Sequence, residues 1–181
     1  MIIRNRQTVY AFIDSQNLHL GVSTSVEYRS KIIYDGWELD FKKFRKFLRN
    51  KYRIDKAYLF IGFVSGNEGL YEYLQDAGYI LIFKPTLEHK KADRKFTKGN
   101  VDAELVLHSA ARQFEYYDKA VIVSGDGDFH CLYEYLIEKN KLLKILVPNK
   151  HRYSSLLRKF SNYFDFVSTN KKKLEKTKKR V

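Results

Sequence analysis

Two aspartates one residue apart, Asp126 and Asp128, follow the apolar run 121–123 in the stretch VIVSGDGDFH. Like charges that close raise each other's pKa and cost free energy unless a cation or a proton lies between them. Two more acids stand in comparable places. Asp14 ends an apolar run in FIDSQNL, and Asp102 lies just after a glycine in KGNVDAEL. Four carboxylates with no thiolate among them are a donor set for hard divalent ions, Mg²⁺ or Mn²⁺. Such an ion polarises a phosphoryl oxygen, generates hydroxide from water and steadies a departing oxygen. The candidate catalytic and metal-binding residues are therefore Asp14, Asp102, Asp126 and Asp128.

Each acid also has an ordinary role open to it. An aspartate before a helix caps free amides, and one in a first turn complements the helix dipole. Only convergence makes a site, and convergence is set by the elements that carry the acids. Five short runs, 9–13, 56–62, 79–85, 119–125 and 142–148, are rich in β-branched and aromatic residues and nearly continuous in apolar ones. That pattern fits strands covered on both faces. Amphipathic patterns lie between them. Phe41, Phe44, Phe47 and Leu48 share one face; Leu70, Tyr73, Leu74 and Ala77 share another, which Gly78 terminates. Ala103, Val106, Leu107, Ala110 and Phe114 make a third face, and Phe129, Leu132, Tyr133, Leu136 and Ile137 a fourth. A last helix is expected over 155–163, with an edge strand in 164–168.

Alternation of strand and helix predicts an α/β fold with a mainly parallel sheet and right-handed crossovers. All four acids then fall at C-terminal strand ends or helix N-termini, the edge where open α/β sheets bind ligands. If Asp14 and Asp126 share a cation, the first and fourth strands are neighbours, giving the order 3-2-1-4-5. Gly127 is expected to supply the backbone angles of a sharp turn. Two stretches break the alternation. Residues 22–39 suit a small hairpin around Asp35-Gly36, and 86–99 form a long polar connection. That connection holds Lys90, Lys91, Arg94, Lys95 and Lys98 just upstream of Asp102, a basic rim for a polyanion entering an acidic centre. Lys98 is placed to position substrate.

The 34 Lys+Arg against 21 Asp+Glu give the 181 residues a net charge of +13, a field that attracts polyanions. Residues 170–181 hold seven basic residues and one acid, and removing that local excess of six leaves the body at +7. One domain over 1–168 with a basic, disordered tail over 169–181 is the expected organisation. A single cysteine, Cys131, excludes an internal disulfide and a cysteine-rich zinc site, and is expected to pack against the sheet. No apolar run reaches the roughly 20 residues of a membrane span, so the expected location is the cytoplasm, without a membrane partner. His19, His108 and His130 lack zinc-ligand spacing. Tyr28, Tyr34 and Trp37 are candidates for stacking on bases. No G-x-x-x-x-G-K phosphate loop is present, and Asp14 lacks the second aspartate two residues on that haloacid-dehalogenase-like phosphatases carry.

FIDSQNL, KGNVDAEL and VSGDGDF, in this order, resemble the signature blocks of NYN domains, the LabA-like branch of the PIN-like nucleases. The resemblance covers roughly residues 7–168. It implies a PIN-like, Rossmann-like three-layer sandwich and metal-dependent hydrolysis of RNA phosphodiesters. Asp14, Asp102, Asp126 and Asp128 match the family's acidic positions, and Asn17 matches the polar residue that orients the first acid or a phosphate. Ser124 is positioned to bond a carboxylate or a metal-bound water, while Ser15 replaces a glycine common in the family. The expected function is a Mg²⁺- or Mn²⁺-dependent endoribonuclease. The alternative is an RNA-binding, regulatory module with a metal site and little turnover. RNA or single-stranded DNA is the expected partner, and pairing of two protomers to build a groove is left open.

Overall fold

The structure is a computed structural model that describes residues 6–84, 87–91, 94–98 and 101–177, with the backbone alone over 87–91 and 94–98. The chain begins with β1 (Val9–Asp14) and α1 (Ser15–Ser23), then a hairpin of β2 (Val26–Tyr28) and β3 (Lys31–Tyr34). Next come α2 (Phe41–Tyr52), β4 (Ile54–Gly62), α3 (Glu68–Asp76) and β5 (Ile80–Lys84), followed by a second hairpin, β6 (Leu87–Lys91) and β7 (Arg94–Lys98). The rest runs α4 (Asp102–Leu107), β8 (Lys119–Val123), α5 (His130–Glu138), β9 (Leu142–Val147), β10 (Phe164–Phe166) and α6 (Lys171–Leu174).

β1 is buried along its whole length and feeds two cores. Val9, Ala11 and Ile13 join one, Tyr10 and Phe12 the other. A strand apolar on both faces belongs in the middle of a covered sheet. There it lies, parallel to β4 on one side and β8 on the other. The sheet has six strands in the order β5-β4-β1-β8-β9-β10, and every pairing is parallel. The first five strands expected from sequence thus take the order 3-2-1-4-5, and 164–166 adds the edge strand.

The helices cover both faces. In α2 the buried Phe44, Leu48 and Tyr52 recur at fourfold spacing, and Asp40 caps the helix by accepting from the Lys43 amide at 3.0 Å. Arg53, with φ 57°, ends it. Helix α3 ends at Gly78, whose φ of 91° no β-carbon favours. These helices and α1 pack on the first core. Against the second core pack α4, α5 and a 3₁₀ run, Ser155–Tyr163, giving three layers. Each fully buried Leu or Phe contributes about 1.5–3 kcal/mol, so pattern on both faces outweighs the basic residues interleaved in α2.

Several expectations needed correction. The first hairpin turns at Arg29-Ser30, with φ of 49° and 60°, not at Asp35-Gly36. Positive φ at both central residues matches the right-handed twist of paired strands. The face of α4 is displaced as well. Val101, Leu105, His108 and Ser109 are buried, whereas Ala103 and Leu107 are exposed. The helix loosens into a π turn, His108–Arg112, which rotates the next residues around the axis. The polar connection 86–99 contains the antiparallel pair β6–β7. Cys131 is exposed instead of packed on the sheet.

The basic end is also docked as far as Thr177. Leu174 is buried in the first core, at 1% exposure. Its carbonyl accepts from the Asp40 amide at 2.9 Å, and the Lys176 amide donates to Glu38 at 2.9 Å. One apolar residue and a few backbone bonds outweigh the repulsion among neighbouring lysines, because those lysines reach into water.

Candidate functional site

The register of the sheet brings the acids together. Ile13 pairs with Val123, so Asp14 and the turn carrying Asp126 leave adjacent strands at one edge. Asp14 is 4% exposed and caps α1, accepting from the Asn17 amide at 2.9 Å. Asp126 is half-buried and caps the short 3₁₀ turn Gly127–Phe129 by accepting from the Asp128 amide at 3.0 Å. Asp102, half-buried, opens α4. All three line one open cavity of about 890 Å³.

Burial first, and then the charges of Asp102 and Asp126, push the Asp14 carboxyl up to about 6 against the opposing amide bond from Asn17. Its raised pKa is the electrostatic mark of an acid buried beside two others. Beneath them, Tyr133 is fully buried and its hydroxyl has no hydrogen-bond partner among the described residues. Burial holds that hydroxyl well above the usual phenol range, and the charges of Asp126 and Asp14 add to the shift.

The turn that carries Asp126 is pinned from both sides. Asn17 accepts from the Gly125 amide at 2.8 Å through Oδ1, and Gly125 accepts from the Ser154 amide at 3.0 Å. The Ser124 hydroxyl accepts from the Asp126 amide at 3.1 Å, so it orders the turn and does not line the cavity. Gly127 keeps an ordinary φ. It is glycine because a β-carbon would strike the Ser154 side chain, which corrects the expectation of special backbone angles.

Asp14, Asp102, Asp126 and Asn17 thus meet, and Asp128 does not join them. Its side chain is exposed and off the cavity wall, and its backbone amide donates to Asp126. Lys90, Lys91, Arg94, Lys95 and Lys98 lie on β6 and β7, and their side chains fall outside the described residues. Trp37 is buried at 7% exposure and belongs to the first core, Tyr34 spends its hydroxyl on Val22, and Tyr28 remains exposed. Sequence reasoning missed the loop after β9. His151, Arg152, Tyr153 and Ser154 all line the cavity, and the exposed Lys150 precedes them. Buried Asn149 shapes that loop, donating to Gly21 at 3.0 Å and accepting from the His151 amide at 2.9 Å. The one available signal was the run NKHRYS at the C-terminal end of a strand.

Three carboxylates in one cavity are a donor set for a hard divalent cation. Among the described residues, no three His, Cys, Asp or Glu side chains stand close enough to share an ion as they are placed. Also among them, no helix is long and apolar enough to cross a membrane.

Comparison with known proteins gives three matches. The family model described as NYN domain matches residues 8–168. Low amplitude and bright protein LabA of Synechococcus elongatus is 27% identical over 119 residues, which are 62% of this chain and 63% of the relative. The chain therefore aligns with less than two thirds of that relative's length. A solved protein of unknown function from Vibrio parahaemolyticus superposes with a TM-score of 0.68 at 20% identity, covering 92% of this chain and 96% of the other.

Proposed function

The chain belongs to the NYN domain family, within the PIN-like nuclease superfamily, and on that premise we propose that it is a divalent-cation-dependent ribonuclease. The single observation that carries this is the acidic cavity, in which Asp102 and Asp126 help to raise the buried Asp14. Asp14, Asp102 and Asp126 would hold Mg²⁺ or Mn²⁺ once their side chains draw closer together than they stand in this structure. Bound there, the ion supplies Lewis-acid polarisation of a phosphoryl oxygen and an activated water.

The chain's own residues do the rest. Asn17 fixes the distance between the β1 edge and the Asp126 turn through its two bonds. Arg152, with Lys150 beside it, offers positive charge to a phosphodiester at the rim, in the part expected of the basic residues on β6 and β7. The Ser124 hydroxyl and the Asp128 amide order the turn that carries Asp126, and neither side chain lines the cavity.

Labelled single-stranded RNA should be cleaved internally with Mn²⁺ or Mg²⁺, and EDTA should stop the reaction. Asp126→Asn, which keeps an acceptor for the Asp128 amide, should lower the rate at least about a hundredfold with an unchanged melting curve. Full activity in that variant would remove the assignment. RNA bound tightly but never cut, with either metal, would establish the alternative of a binding module.

A further inference from the structure

A second cavity, of about 540 Å³, adjoins the first on the β4 side of α1. Exposed Gln16 lines both. The lining of the second is mainly apolar, from Leu59 and Ile61 of β4, Phe41 of α2 and Tyr73 of α3. His19 and Gln16 add polar groups from α1, and the docked tail adds Lys176.

We propose that this cavity takes one unpaired nucleobase of a single-stranded RNA whose neighbouring phosphate lies over Asp14 and Asp126. The proposal rests on the ribonuclease function and names its substrate class. Four features favour a base over a purely apolar ligand. The cavity lies within the size range of small-ligand sites. The rings of Tyr73 and Phe41 are in its wall, and aromatic rings are stacking partners for any base. Gln16 and His19 present donors and acceptors to a base edge. Its continuity with the acidic cavity through Gln16 means that one strand can occupy both, and the chain's +13 charge favours a polyanion. A duplex stacks its bases inward, so only a splayed base can enter. The two cavities together therefore select single strands.

Binding is measured by fluorescence anisotropy on full-length Asp126→Asn with Mn²⁺, using short RNAs in which one abasic nucleotide is moved along the strand. One position should lose about tenfold in affinity, the size of one stacked base, and a fully paired duplex should bind no better than that abasic strand. Leu70→Asp, a change at an exposed lining residue, should bring the intact strand down to the abasic level without changing the melting temperature, and Tyr73→Leu should do the same with a melting curve that stays cooperative. A penalty equal at all positions, a penalty untouched by both variants, or no binding of any strand overturns the proposal. Cleavage is followed in parallel on the unmodified chain. Cutting without a position-dependent penalty sinks the base site alone. A position-dependent penalty without cutting sinks the ribonuclease function alone.

Discussion

Asp14 is an acid that the fold holds where ionisation is unfavourable. Its folded-state pKa of about 6 lies above the ordinary 3.8, because burial and two neighbouring acids favour the neutral form. The stability this gives is fully present below about 3.8 and is lost as pH rises through about 6. At pH 8 the ionised group costs on the order of 3 kcal/mol. Asp14→Asn keeps an oxygen for the Asn17 amide and removes the charge. In EDTA the variant should be more stable than the natural chain at pH 8, with the gap closing towards pH 4, as urea unfolding at the two pH values will show. Adding Mn²⁺ at pH 8 should raise the melting temperature of the natural chain and leave that of Asp14→Asn unchanged. A pH-independent gap would mean that Asp14 is not buried among acids. The types of these residues are visible in the sequence. What Gly127 and Ser154 do to each other, across 27 positions of chain, is not.

At the scale of elements, the C-terminal segment has the clearest consequence. Its helix α6 places Leu174 in the first core and lays the following backbone along Glu38 and Leu39. The Lys176–Glu38 ion pair at 2.6 Å is exposed on both sides and contributes little. The apolar anchor therefore dominates. Leu174→Ala should cost about 2 kcal/mol or more, measured as a lower urea midpoint, whereas Lys176→Ala should lie within about 0.5 kcal/mol of the parent. A Leu174→Ala chain as stable as the parent would mean that the segment is not docked. Charge density hid this element, since seven cations in twelve residues read as a solvated end, and one leucine among them carries no periodicity. The turn at Arg29-Ser30 was hidden for a related reason. Neither residue is a habitual positive-φ former, so strand pairing and not turn propensity fixes it.

The whole molecule combines an acidic cavity with a basic surface, so affinity for RNA should be strongly electrostatic at long range. Single-strand binding should fall steeply between about 50 and 200 mM salt. Replacing Lys150 and Arg152 together by alanine should reduce the slope of log affinity against log salt by about 1.4, two phosphate contacts at roughly 0.7 each. Anisotropy titrations across that salt range measure it. An unchanged slope would place the phosphate path elsewhere on the surface.

The sequence alone determined the alternation of strand and helix, the parallel sheet with the first strand at its centre, and the edge at which Asp14, Asp102 and Asp126 stand. Those features come from local periodicity, from the rule that strands buried on both faces lie inside a covered sheet, and, for the place of the first strand, from the cation that Asp14 and Asp126 are expected to share. Tertiary structure decided the rest. It turned Asp128 away, brought in Arg152 and Ser154 from the loop after β9, docked Leu174, and opened a second cavity beside Gln16. Each of these depends on which side chains fill the space between distant segments, and pattern within one segment carries no record of what faces it across a core.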